Sequence, residues 1–134
     1  MVVTFRSVAF NTDSPEILFI SPRPYGSDLA NWLIHELMRY DRRAQPMIAQ
    51  SGGGWLVRFR FHGASYDFSV RFQYPDWIGV LERHRGLLSR LFRWPRKGVE
   101  LDAVAFVDAM LSSSQLVSDV YWRYDDGGEE ATNE

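Results

Sequence analysis

Between Trp55 and Phe72 the chain alternates apolar and polar residues, the period of a half-buried β-hairpin. Folding the segment about Gly63-Ala64 sets Trp55 opposite Phe72, Val57 opposite Val70, Phe59 opposite Phe68 and Phe61 opposite Tyr66. The same register places Arg60 opposite Asp67 on the other face. A glycine opening a two-residue loop suits a type II′ turn, whose first central position needs φ > 0. A slip of one residue would turn all four apolar pairs into water, so the pairing parity is strongly specified.

The rest of the chain divides by the same reading. Val2 to Phe10 is rich in β-branched and aromatic residues and predicts a strand, followed by turn chemistry at Asn11 to Pro15. Glu16 to Ser21 reads as a short buried strand ended by Pro22 and Pro24. Leu29, Trp32, Leu33, Leu37 and Tyr40 recur at helical spacing, with Ser27 or Asp28 placed to cap the helix. That helix should stop near Asp41-Arg42-Arg43, where basic side chains suit the negative end of its dipole. Met47 to Gln50 predicts a short strand, and Trp77 to Leu81 another, in which Gly79 marks a close approach or a bulge. Leu87, Leu88, Leu91 and Phe92 form a short helical stripe, broken at Trp94-Pro95. A second long helix begins near Leu101 with Ala103, Phe106, Val107, Met110 and Leu111 on its apolar face, and the serines at 112–114 end it. Val120, Trp122 and Tyr124 alternate as a closing strand.

These elements predict an α+β domain: a mainly antiparallel sheet of five to seven strands, two long helices packed on one face, and a short basic helix or loop. Residues 1–124 form that single domain and 125–134 an acidic, disordered tail. Two helices bury one side of such a sheet, which leaves Arg58, Arg60, Asp67, Ser69 and Arg71 on an open face.

Composition narrows the class. The apolar share of 46% and aromatic share of 15% in 134 residues are those of a chain able to bury a core. There is no cysteine, hence no disulfide, thiolate nucleophile or thiolate metal site. No apolar run approaches the ~20 residues that span a bilayer, and Met1 to Phe10 lacks the build of a signal peptide. The expectation is a cytoplasmic protein without a membrane partner. Of the 17 acidic residues five follow Tyr124, so the body holds 15 basic against 12 acidic side chains, near +3 inside a chain of net charge −2.

The element order resembles that of a family of small uncharacterised bacterial α+β proteins. The resemblance spans residues 16 to 124. It rests on the strand ending in Ser21, the Gly26 to Tyr40 helix with its central Trp32, the Gly54-Trp55 opening of the hairpin and the Trp77 strand. The basic Leu-Leu-x-x-Leu-Phe segment and the Val120 to Trp122 strand complete it. It implies a fold and no activity. Its members more often carry an acid just before the Gly-Trp pair, where this chain has Ser51-Gly52-Gly53.

No motif marks a reaction centre. The three histidines, His35, His62 and His84, include no His-x-x-x-His pair and no His-Glu-x-x-His. Gly26-Ser27 and the serines at 112–114 lack a nucleophile elbow. Ser51 to Gly54 leads into a strand, whereas a phosphate loop leads into a helix. Asp76 and Glu82 flank one strand, and Asp102 and Asp108 sit on neighbouring helical turns. No cofactor or metal is implied.

The strongest signal outside the core is Arg83 to Lys97, six basic residues without an acid, interleaved with Phe92 and Trp94. Tryptophan and arginine are enriched at interface hot spots, and a pI of about 5.9 argues against a dedicated nucleic-acid binder. The sequence therefore reads as a non-enzymatic binding protein of immunity or accessory type that recognises a protein partner. Its candidate contacts are Arg90, Arg93 and Trp94 in the basic segment and Arg58, Arg60 and Arg71 on the open face. The alternatives are a small hydrolase or nuclease built on His35 and a carboxylate, and a nucleic-acid accessory protein using residues 83–97. Self-association through the open face or an edge strand is compatible with either.

Overall fold

The computed structural model describes residues 1–10, 16–18, 21–23, 26–40, 42–50, 53–84 and 99–124. The basic segment Arg85 to Lys97 and the tail after Tyr124 lie outside the described residues, and with them Arg90, Arg93 and Trp94.

The elements are β1 (Val2–Arg6), β2 (Glu16–Leu18), β3 (Ser21–Arg23), α1 (Ser27–Arg39), β4 (Ile48–Ala49), β5 (Trp55–Phe61), β6 (Ala64–Gln73), β7 (Asp76–Arg83), α2 (Leu101–Ser112) and β8 (Ser118–Arg123). Six strands form one antiparallel sheet in the order β4-β5-β6-β7-β1-β8. The expected α+β class is what the chain builds, and its six-stranded antiparallel sheet falls within the five to seven strands expected. The run expected as one strand over Glu16 to Ser21 is instead a hairpin of its own: β2 turns back on β3, pairing Ile17 with Pro22.

Alternation in β5 and β6 is as expected, but the hairpin register differs by two residues. Trp55 pairs with Val70, Val57 with Phe68, Phe59 with Tyr66 and Phe61 with Ala64. The loop is His62-Gly63, with φ of 50° and 77°, so both central residues are left-handed, as a type I′ turn requires. A two-residue slip keeps every side chain on its face, so the apolar pattern is blind to it and the turn alone decides. Its consequence is electrostatic: Arg58, not Arg60, stands opposite Asp67.

Trp55, Val57, Phe59, Phe61, Tyr66, Phe68, Trp77 and Leu81 are buried on one face, together with Val3 and Phe5 of β1. Phe106 of α2 packs on this group, its ring 5.2 Å from that of Phe61 and 6.2 Å from that of Phe59. It also meets Tyr40, just past the end of α1, edge to face. α1 buries Leu29, Ala30, Leu33 and Leu37, while Tyr40 stays exposed. Its N-terminus is entered through Gly26, at φ 104°, an N-cap without a side-chain hydrogen bond, while Asp28 Oδ1 in the first turn accepts the Leu29 N–H at 2.8 Å. Gly79 is a close approach: a Cβ there would come within 2.6 Å of the Phe68 ring.

Tyr66 is fully buried, and its hydroxyl, near Glu100, makes no hydrogen bond of good geometry among the described residues. Burial raises its pKa above the usual 10.0, outweighing the nearby Glu100 backbone, which favours the ionised form. An orphaned hydroxyl costs stability that an apolar isostere recovers. Tyr66→Phe is therefore expected to stabilise the fold by about 1 kcal/mol in urea unfolding at neutral pH. The sign of the pH effect follows from the raised value. Stability is intact below the unfolded tyrosine's pKa and is lost as pH climbs toward the folded one, so wild type weakens above about pH 10 and Tyr66→Phe weakens less.

Candidate functional site

Side chains of the opposite sheet face follow from the pleat: Arg58 and Arg60 on β5, Ser65, Asp67, Ser69 and Arg71 on β6. Arg60 and Arg71 are exposed and the other four half-buried. This face is less polar than expected, because half-buried Leu56, Ile78 and Val80 share it.

The chain after α1 turns the Arg58–Arg60 end of this face into a groove. Arg42 N–H donates to the Leu37 carbonyl, closing the helix. Residues 43–45 then run antiparallel to β5, bonded through Gln45 N–H to Arg58 O at 2.9 Å and Arg60 N–H to Arg43 O at 3.3 Å, with a bridge between Ala44 and Phe59. That register sets Arg43 directly opposite Arg60. Arg42 has the other parity, and its guanidinium lies over the Phe61 ring at 4.6 Å and the Phe106 ring at 5.4 Å. The result is a groove of about 730 Å³ lined by Arg42, Arg43, Arg58 and Arg60, with Met38, Ala44, Pro46 and Phe59 as apolar lining.

The electrostatics are lopsided. Arg58 is neutralised: its Nε is 2.6 Å and its Nη2 3.3 Å from the two Asp67 oxygens, and this hydrogen bonding raises its pKa further above the usual guanidinium value. Arg60 donates to the Gly63 carbonyl at 2.9 Å and to Ser65 Oγ at 3.5 Å, both neutral acceptors. Among the described residues Arg43 makes no ion pair and the buried Arg42 Nε has no hydrogen-bond partner. Like charges directly opposite on neighbouring strands destabilise a sheet.

The three expected contact residues among the described residues, Arg58, Arg60 and Arg71, do not line one depression. Arg58 and Arg60 belong to the groove. Arg71 lines a separate shallow depression with Ser69, Ile78 and Val80. Arg42 and Arg43 read in the sequence as helix-terminal charges, and only their pairing with β5 brings them to the groove. The local signal that could have found them is the extended Arg43 to Pro46 run.

The expected chemistry of the histidines is rearranged. His35 is exposed and its Nδ1 lies 2.8 Å from the Asn31 carbonyl of its own helix, while the adjacent Glu36 is held by Arg39 at 3.1 Å. His84 is the histidine that meets a carboxylate, with Nδ1 3.2 Å from Asp67 Oδ2. Asp67 therefore serves Arg58 and His84 at once. Asp76 pairs with Arg6 at 3.0 Å, and Asp108 accepts from Trp122 Nε1 at 2.9 Å. Among the described residues no three His, Cys, Asp or Glu side chains gather as a metal site, and no helix is long and apolar enough to cross a membrane.

Compared with protein-family models, curated proteins and solved structures, the chain matches none.

Proposed function

We propose that the protein is a non-enzymatic interaction protein whose arginine groove takes an acidic, amphipathic segment of a protein partner. The observation that carries this is the strand register that sets Arg43 opposite Arg60, neither of them ion-paired among the described residues, beside a neutralised Arg58. The apolar lining of Met38, Ala44, Pro46 and Phe59 favours a peptide with alternating acidic and apolar residues over a bare phosphate chain. The reading takes both helices to lie on the Val57–Phe59–Phe61 face, which Phe106 touches, leaving the Arg58 face for docking.

A fluorescently labelled peptide of alternating Glu and Leu tests it by anisotropy. Wild type should bind, with affinity falling as salt screens the charges. Arg43→Glu with Arg60→Glu should weaken binding at least about tenfold, since buried charge pairs at interfaces govern dissociation. Arg71→Glu, outside the groove, should leave it within about twofold. Equal binding by the double variant, or tighter binding of a single-stranded oligonucleotide than of the peptide, overturns the proposal.

A further inference from the structure

We infer that the outer edge of β8, with the exposed side of α2, is the interface of a homodimer in which two copies pair antiparallel about Tyr121. One flank of β8 is bonded to β1, pairing Val2 with Arg123, Val3 with Trp122 and Thr4 with Tyr121. β8 ends the strand order, and among the described residues no strand pairs with its other flank. An open row of N–H and C=O groups is a template for another strand. The opposite end of the sheet is different, because β4 and the Ala44 bridge line the outer flank of β5.

α2 supplies an independent observation. Of its twelve residues only Asp102, Asp108 and Ser112 are polar. Leu101, Ala105 and Ala109, at i, i+4 and i+8, form an exposed stripe in which Leu101 is 71% accessible. A helix apolar nearly all round belongs to an interior, so this stripe is uncovered surface of the kind an interface fills. Trp122 Nε1–H donates to Asp108 at 2.9 Å and fastens the helix beside the β8 edge.

A second copy is the occupant because β8 complements itself. Pairing about Tyr121 sets Val120 of one copy opposite Trp122 of the other and brings the bulged Asp119 end of each strand beside Arg123 of the other, twice by symmetry. Both charged residues are exposed, and neither forms an ion pair in its own chain among the described residues. Opposite charges facing across strands stabilise the pairing. Tyr121, 67% accessible, meets its own copy at the axis. The bulge between Thr4 and Arg6, where Asp119 takes φ 55°, bends the strand and closes the pairing at that end.

Sedimentation equilibrium of the full chain, from micromolar to millimolar, reads the outcome. Wild type should approach twice 15.6 kDa. Asp119→Arg and Arg123→Asp should each weaken the dimer about tenfold, because two symmetric pairs turn repulsive. The double swap, Asp119→Arg with Arg123→Asp, should return to within about threefold of wild type, a rescue that misfolding does not produce. Ala105→Glu should also weaken the dimer. A wild-type chain that stays monomeric overturns the inference, as do single charge variants that dimerise like wild type or a double swap that fails to recover. The groove arginines lie outside this surface, so the peptide-binding result is read separately.

Discussion

Trp77→Ala should cost about 3–5 kcal/mol, the range for emptying a buried aromatic site, and it is expected to be the most damaging single truncation in the sheet. Trp77 is wholly buried on β7, with Phe72 5.2 Å away and Phe10 edge-on at 6.5 Å. It also underlies the start of α1: a Cβ on Gly26 would lie 3.1 Å from its ring. Removing the indole therefore leaves a void between the sheet and the helix N-terminus, where backbone on both sides resists collapse. Part of the indole is costly in place, since the buried Nε1–H has no acceptor among the described residues. Trp77→Phe keeps most of the packing and discards that orphan donor, so it should cost no more than about 1.5 kcal/mol. Urea unfolding followed by far-UV circular dichroism separates the two. A loss below about 1 kcal/mol for the alanine variant would mean that the site closes over, contrary to this packing.

Gly54→Ala is the second large effect, and its neighbour Gly53 provides the contrast. Both glycines have positive φ, 98° at Gly53 and 92° at Gly54, so an alanine at either is strained. Their surroundings differ. A Cβ on Gly53 meets nothing within 4 Å, whereas one on Gly54 would sit 2.3 Å from the Val70 carbonyl oxygen and 2.8 Å from Arg71 Cβ. The obstacle is the backbone of β6, which cannot swing aside as a side-chain tip can. Gly54 also accepts the Gln50 N–H at 2.9 Å, so displacing it opens the β4–β5 turn. Gly53→Ala should cost about 1–2 kcal/mol for the left-handed backbone alone. Gly54→Ala adds overpacking and should reach about 2–5 kcal/mol. Equal losses at the two positions would show that conformation, not contact, makes Gly54 necessary.

Much of the fold was legible in the order of residues. The two helices were read to within a few residues of their ends, because Leu29, Leu33 and Leu37 in α1, and Ala103, Val107 and Met110 in α2, keep one face of a helix buried. The buried ring-bearing face of the sheet followed from alternation in β5 and β6. The site was legible only in part. Arg58 and Arg60 were placed on the correct face, but Arg71 was grouped with them although it stands two side-chain rows away along β6. Arg42 and Arg43 were passed over, since nothing local says that the chain after α1 will lie along β5.

What the sequence by itself determined depends on periodicity sustained over several residues: the two long helices, the strands of the central hairpin, and which side of each meets the core. The three-residue strands at Glu16–Leu18 and Ser21–Arg23 are too short to carry it. The tertiary structure alone decided what depends on register and on contacts between distant segments. Shifting β6 by two residues leaves every apolar side chain on its own face, so burial is indifferent, and the His62-Gly63 turn makes the choice. That choice gives Asp67 to Arg58 and denies it to Arg60, which leaves Arg60 facing Arg43 across a backbone bridge. The charge imbalance of the groove is thus a product of strand registry, a quantity that alternation along a single strand does not encode.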